Sequence, residues 1–344
     1  MNKLFVSKLA IVLLALILAI QLAGCASVAP TTAAPSAPTS APTNTQAAAA
    51  PKGSLPAGGI PGGMGGSMTS LTPAYKDVVY ASASSAEKLD LYLPSGNGPF
   101  PLVIMIHGGG FMMGDKSDGT GLAGVDPIVA AGIAVASINY RLSAEAKYPA
   151  QIFDAKAAVR FLRANAAKYK LNPDKFAAFG ASAGGSLVSL LGTTCGVKEL
   201  EGDLGNAGVS SCVQAVVDWF GPIDFLAMDA QFAGTSCPAT HNDASSPESQ
   251  LVGAAIQTVA DQVKMTNPTN YIDPSDPPFF IENGSADCNI PPVQSKNFAD
   301  ALSKVIGANK VSYTLIDGAG HGGAQFSTDA NLKLVVDFLN KYLK

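Results

Sequence analysis

Four short segments of this 344-residue chain carry side chains able to do acyl-transfer chemistry. Gly180-Ala181-Ser182-Ala183-Gly184-Gly185 places a serine on a turn, with glycines two residues before and two after it. A serine on so cramped a turn between a strand and a helix is presented as a nucleophile. His107-Gly108-Gly109-Gly110-Phe111 is a glycine loop whose backbone N–H groups can face a developing oxyanion, typically one of the largest catalytic contributions. Gly284-Ser285-Ala286-Asp287 and Gly318-Ala319-Gly320-His321-Gly322-Gly323 supply a carboxylate and an imidazole. In this set Ser182 attacks, His321 takes its proton and Asp287 orients the imidazole. Backbone N–H groups of the glycine loop are free to turn toward the oxyanion. Such chemistry requires no metal and no cofactor. Asp273, Asp276 and Asp317 are alternative acids, and His107 reads as a structural residue holding its loop.

Other classes of function are disfavoured. The three histidines (His107, His241, His321) are widely separated and no H-E-x-x-H occurs, which argues against a zinc hydrolase. The glycine loop fits neither a G-K-[ST] phosphate loop nor a G-x-G-x-x-G dinucleotide loop. A net charge of −4 without a Lys/Arg-rich run gives nucleic acid no electrostatic footing.

These loops need strands to hold them. Short apolar runs over Leu102 to Ile106, Ile133 to Ile138, Lys175 to Phe179, Val213 to Val217, Pro278 to Ile281 and Val311 to Ile316 read as buried strands, and Lys88 to Leu93 alternates as a half-exposed one. Helical stripes lie between them. Phe153, Ala157, Phe161 and Ala164 form one behind Pro149 at a first helical position; Phe298, Leu302, Val305 and Ile306 form a second; Leu332, Val335, Val336, Leu339 and Leu343 form a third. Strands alternating with helices predict a parallel sheet covered on both faces, with its site at the carboxyl ends of the strands. Each of the four chemical segments follows such a run.

The chain begins with what reads as an address. Residues 1–25 carry Lys3 and Lys8, then an almost wholly apolar run, then Leu22-Ala23-Gly24-Cys25. This resembles the lipobox of bacterial lipoproteins, which implies cleavage before Cys25 and acylation of that cysteine. Residues 26–70, rich in Ala, Pro, Thr, Ser and Gly, read as a disordered tether. The folded body is expected over 71–344, with a cap insert from about 220 to 277.

The body resembles the α/β-hydrolase superfamily, and within it the esterases with an H-G-G-G loop, of the hormone-sensitive-lipase-like and bacterial feruloyl/acetyl esterase-like groups. The resemblance is carried by H-G-G-G-F at 107–111, N-Y-R-L at 139–142, Y-P-A at 148–150 and D-A-K-A-A-V-R-F-L-R at 154–163. It continues in G-A-S-A-G-G at 180–185, W-F-G-P-I-D-F at 219–225, S-P-E-S at 246–249 and G-A-G-H-G at 318–322. It implies a mostly parallel eight-stranded sheet with helices on both faces and a small cap. It also implies the triad order Ser182, Asp287, His321, an oxyanion hole formed by the backbone N–H groups of Gly109, Gly110 and Ala183, and a carboxylesterase acting on short-chain or aromatic esters, including acetyl or feruloyl groups on carbohydrate. Where these families often have histidine and glycine, the chain reads Ile281-Glu282-Asn283-Gly284-Ser285.

With Cys25 acylated, four cysteines remain in an exported body, which suggests disulfides; of the three pairings, Cys195–Cys212 and Cys237–Cys288 are expected. His241 reads as solvated and without a role, and Trp219 and Phe220 as either cleft lining or core. The overall expectation is an extracytoplasmic, membrane-anchored esterase. A prolyl-oligopeptidase-like peptidase shares the fold and triad order but brings a propeller-sized N-terminal domain. A solute-binding lipoprotein would share the lipobox, tether and α/β body yet need no Ser/Asp/His set.

Overall fold

The structure, a computed structural model, describes residues 69–118 and 123–344. The expected leader over 1–25, with Cys25, and all but the last two residues of the expected tether lie outside the described residues.

Among the described residues eight strands form one sheet: β1 (Tyr75–Val79), β2 (Lys88–Tyr92), β3 (Phe100–Ile106), β4 (Ala134–Ile138), β5 (Leu171–Ala181), β6 (Ala215–Trp219), β7 (Phe279–Gly284) and β8 (Val311–Ile316). Their order is β1-β2-β4-β3-β5-β6-β7-β8. β1 pairs antiparallel with β2 and β2 with β4, while every pairing from β4 to β8 is parallel. The mostly parallel eight-stranded sheet expected from the sequence is therefore present. β4 and β6 are buried at every position because helices cover both faces, which is why they read as unbroken apolar runs.

The crossovers place α1 (Val125–Ala130), α2 (Ala150–Ala164), α3 (Ala183–Thr193), α7 (Pro292–Ile306) and α8 (Asp329–Leu343) against the sheet. Leu102, Ile104 and Ile106 point into a core shared with Ile152 and Val159 of α2, Leu187 of α3 and Phe298 and Leu302 of α7. Val103 and Met105 point the other way, toward Val125 and Ile128 of α1 and Val335 and Leu339 of α8. Each fully buried side chain of this kind contributes about 1.5–3 kcal/mol. α8 opens at Thr328, whose hydroxyl accepts the Asn331 N–H at 3.2 Å, and buries Val335, Leu339 and Leu343 at every fourth position.

Two local expectations are corrected. Pro149 stands one residue before α2 rather than at its first position. Of the expected stripe, Ala157 lies in the core and Phe153 and Phe161 pack against it, joined by Ile152, Ala155, Val159 and Leu162, while Ala164 is exposed. The stretch expected to be the cap insert separates β6 from β7 and holds three short helices, α4 (Met228–Gln231), α5 (Pro247–Val252) and α6 (Ala260–Lys264).

Candidate active site

The parallel register brings the four chemical loops to one edge. Ile106 of β3 is level with Gly180 of β5, Ala181 with Trp219 of β6, Trp219 with Glu282 of β7, and Gly284 with Ile316 of β8. The chain therefore leaves β3, β5, β7 and β8 on the same side. Ser182 directly follows β5 and precedes α3, with φ 57° and ψ −124°. That left-handed φ is uncommon for a residue with a side chain and costs on the order of 1–3 kcal/mol. The N–H of Ser182 donates to the Trp219 carbonyl at 2.9 Å, which helps to fix the turn. Gly184 must be glycine, since a Cβ there would overlap the Ile106 carbonyl and stand 2.9 Å from that of His107. The turn thus rests directly on the start of the H-G-G-G loop.

A line of hydrogen bonds runs from the acid to the serine. Asp287 Oδ2 lies 2.9 Å from His321 Nδ1, and His321 Nε2 lies 2.9 Å from Ser182 Oγ. A carboxylate can only accept, so Nδ1 carries the proton and Nε2 is free to accept the one on the Ser182 hydroxyl. The Asp287 carboxylate is fully buried, and its Oδ1 accepts the N–H groups of Asn289 at 2.8 Å and Ile290 at 2.9 Å. Asn283 Nδ2 lies 3.4 Å from Oδ2, and Asn283 Oδ1 accepts the Ser295 hydroxyl at 2.8 Å. Asn283 thus supports the acid from within the unusual Ile281–Ser285 segment. The alternative acids are engaged elsewhere. Asp276 accepts the Asp273 N–H, Asp273 accepts from Ser275, and Asp317 lies 3.4 Å from the Ser285 hydroxyl.

The acid and histidine loops are bonded to each other: Ser285 N–H donates to the Ile316 carbonyl at 2.9 Å and Ala286 N–H to the Ala319 carbonyl at 2.8 Å. His321 is partly exposed, at 15 % for its side chain, so a substrate can reach it. Phe220 packs edge-on against its ring, with centroids 4.7 Å apart. Trp219 belongs to the core, packed on Phe179 and Phe326.

On the other side of the serine, Gly109 and Gly110 adopt positive φ of 104° and 59°, and Met112 and Met113 N–H groups both donate to the Gly109 carbonyl at 3.1 Å. Ala183 begins α3, where an N–H has no carbonyl one turn back to receive it. His107 is buried, its ring stacked on Tyr140 with centroids 4.4 Å apart, and its Nδ1 donates to the Gly108 carbonyl at 2.7 Å. Burial lowers its pKa, which keeps the ring neutral and in a holding role.

Three groups at this edge escaped the sequence reading. Asp218 ends an apolar strand fully buried; it accepts the Ser189 hydroxyl at 2.7 Å and the Gly221 N–H at 2.9 Å, tying α3 to the turn after β6. Burial pushes its pKa up to about 6. Its signal was an acid closing an apolar run. Glu282, level with Trp219, is buried and accepts the Asn331 amide at 2.9 Å. His241, expected to be solvated, is instead 3.1 Å from Glu248 Oε2 with only 12 % of its side chain exposed. The two expected disulfide pairs, Cys195–Cys212 and Cys237–Cys288, are both bonded.

The BD-FAE family model matches residues 89–302. The chain is 30% identical over 224 residues to the esterase LipC of Mycobacterium tuberculosis, covering 65% of this chain and 53% of that protein. The chain spans about half the length of the curated relatives it matches. Among solved structures, a truncated form of a carbohydrate esterase from gut microbiota superposes with a TM-score of 0.71 at 37% identity, covering 78% of this chain and 95% of that one. A bifunctional GH43-CE protein of Bacteroides eggerthii superposes with a TM-score of 0.70 at 38% identity, covering 78% of this chain and 35% of that one. With the sheet described above, these likenesses give the α/β-hydrolase fold.

Proposed function

The chain belongs to the BD-FAE family, and from that premise we propose that it is a serine carboxylesterase with Ser182 as nucleophile, His321 as general base and Asp287 as its orienter. The observation that carries this reading is the unbroken line Asp287–His321–Ser182, with both contacts at 2.9 Å. As Ser182 Oγ attacks an ester carbonyl, its proton passes to His321 Nε2, and Asp287 stabilises the imidazolium. The N–H groups of Gly109, Gly110 and Ala183 receive the oxyanion. His321 then returns the proton to the leaving alcohol, leaving an acyl-serine. Water, deprotonated by the same imidazole, cleaves the acyl-serine and restores the hydroxyl.

The proposed substrates are short acyl groups, acetyl above all, esterified to carbohydrate. Support comes from the carbohydrate esterase of gut microbiota, a structure that this chain matches at 37% identity over most of its length. The proposed location is outside the cytoplasm, on a membrane, through an acylated Cys25 and the 26–70 tether; the Leu22-Ala23-Gly24-Cys25 motif supports it. Two or three acyl chains on Cys25 make such attachment durable, since each buried methylene contributes about 0.8 kcal/mol.

The test is hydrolysis of p-nitrophenyl esters from acetyl to dodecanoyl, and acetate release from acetylated xylo-oligosaccharide, by the full chain and by Ser182→Ala. Loss of the serine is expected to lower kcat by roughly 10⁴- to 10⁶-fold. Equal turnover in both forms, or none in a folded wild type, would remove the esterase reading. Membrane fractionation of Cys25→Ser tests the anchor, with release into the soluble fraction expected and retention counting against it.

A further inference from the structure

Asp218 takes no part in the proton transfers above, yet it is a fully buried acid in β6, whose other four residues are apolar. Burying a carboxyl costs stability unless its oxygens find donors. Both do. Oδ2 accepts the Ser189 hydroxyl of α3 at 2.7 Å, and Oδ1 accepts the Gly221 N–H at 2.9 Å.

The three residues that follow Asp218 reach the surroundings of the whole triad. The Trp219 carbonyl accepts the Ser182 N–H at 2.9 Å. The Phe220 N–H donates at 2.7 Å to the Glu282 carbonyl on β7, the strand that leads to Asp287, and the Phe220 ring abuts His321. Gly221 closes the turn, with its N–H held by Asp218. No side chain separates this turn from the nucleophile helix. A Cβ on Gly221 would stand 2.6 Å from both Asp218 Oδ1 and the Ser186 nitrogen, and one on Gly185 would overlap Asp218 Oδ1. The carboxyl is therefore wedged between α3 and the turn after β6, with one oxygen bonded to each.

We propose that Asp218 is a positioning residue: by tying Gly221 to Ser189 it holds the Trp219–Gly221 turn against α3 and so keeps Ser182 within hydrogen-bond reach of His321. The proposal rests on the esterase reading above. Without the two bonds the Gly221 end of the turn is free to lift from α3, which moves the Trp219 carbonyl away from Ser182 and Phe220 away from the imidazole. A misplacement of about 1 Å at reacting groups can cost about a hundredfold in rate. Asp218 itself lies beneath the turn with no exposed surface, so a substrate does not touch it.

The experiment compares kcat, KM and thermal midpoint for p-nitrophenyl acetate in the wild-type full chain, Asp218→Ala and Asp218→Asn. Asp218→Ala is expected to lower kcat by about ten- to a hundredfold. KM should stay within about twofold, because the lost contacts lie behind the serine and histidine rather than on the substrate. In Asp218→Asn the amide oxygen can accept the Gly221 N–H and the amide NH₂ can donate to the Ser189 oxygen, so most of the loss should be recovered. An unchanged kcat in Asp218→Ala, or a raised KM with kcat intact, would overturn the proposal, as would a kcat loss that asparagine does not relieve. Should Asp218→Ala fail to fold, Ser189→Ala replaces it, since it deprives Oδ2 of its partner: a kcat lowered about two- to tenfold at constant KM is expected, and an unaltered kcat rejects the idea. Turnover equal to wild type in Ser182→Ala would instead remove the esterase reading, and this proposal with it. Turnover lost in Ser182→Ala but kept in Asp218→Ala rejects this proposal alone.

Discussion

The ring of Phe220 stands edge-on to the imidazole of His321, with centroids 4.7 Å apart and planes inclined by 61°. Phe220 is itself held in a left-handed conformation, φ 43°, with its N–H donating to the Glu282 carbonyl at 2.7 Å, and it packs on Phe326 behind. The histidine thus has a wall as well as a hydrogen-bonded acid, and the wall limits how far the imidazole can swing while it moves between serine and leaving group.

Phe220→Leu keeps an apolar side chain and the backbone but loses the aromatic contact. Such a pair is worth about 0.5–1.5 kcal/mol, so kcat should fall about two- to tenfold. Steady-state kinetics on p-nitrophenyl acetate measure it, and an unchanged kcat would show that the ring is only filling space.

The two disulfides should differ in what they protect. Cys237–Cys288 closes a separation of 51 residues and Cys195–Cys212 one of 17, so removing either should cost stability, about 4 and about 3 kcal/mol from loop entropy. Only the first touches the residue next to Asp287. The Cys237→Ser/Cys288→Ser variant should therefore lose kcat at a temperature where it remains folded, whereas Cys195→Ser/Cys212→Ser should lose thermal midpoint with kcat retained. Equal kcat in both variants would separate the acid loop from its disulfide.

The pattern of what was legible in the sequence follows from distance along the chain. Ser182, Asp287 and His321 were readable because each stands among glycines a few residues past a buried apolar run, and parallel strands must deliver such loops to one edge. β1 was missed since Tyr75–Val79 is an edge strand with four of its five residues exposed, leaving no apolar alternation to read. His241 was misjudged for a different reason. It lies in a polar stretch, and what surrounds it includes Phe232 and Glu248, partners that no local spacing announces. Asn283 likewise gains its meaning from Ser295, twelve residues on.

Glu282 gives the fold a dependence on pH that runs opposite to that of an ion-paired acid. Its carboxyl lies fully buried at the position level with Trp219, with the Asn331 amide donating to Oε2 at 2.9 Å and no cation among the described residues to offset burial. Burial raises its pKa from 4.5 to about 7, against the smaller opposing effects of Asn331 and Trp219. The folded state therefore prefers the protonated acid. Its contribution to stability is fully present below the unfolded value and is lost as pH rises through about 7, with the difference amounting to about 3 kcal/mol. Glu282→Gln is a neutral mimic of the protonated side chain and has no such loss. In the variant the fall in thermal midpoint between pH 5 and pH 8 should shrink by several degrees, at about 2–4 °C per kcal/mol for a body of this size. Thermal unfolding followed at both pH values is the measurement. A wild type and variant whose midpoints move in parallel would mean that Glu282 is already ionised in the folded protein near neutrality, with its charge accommodated.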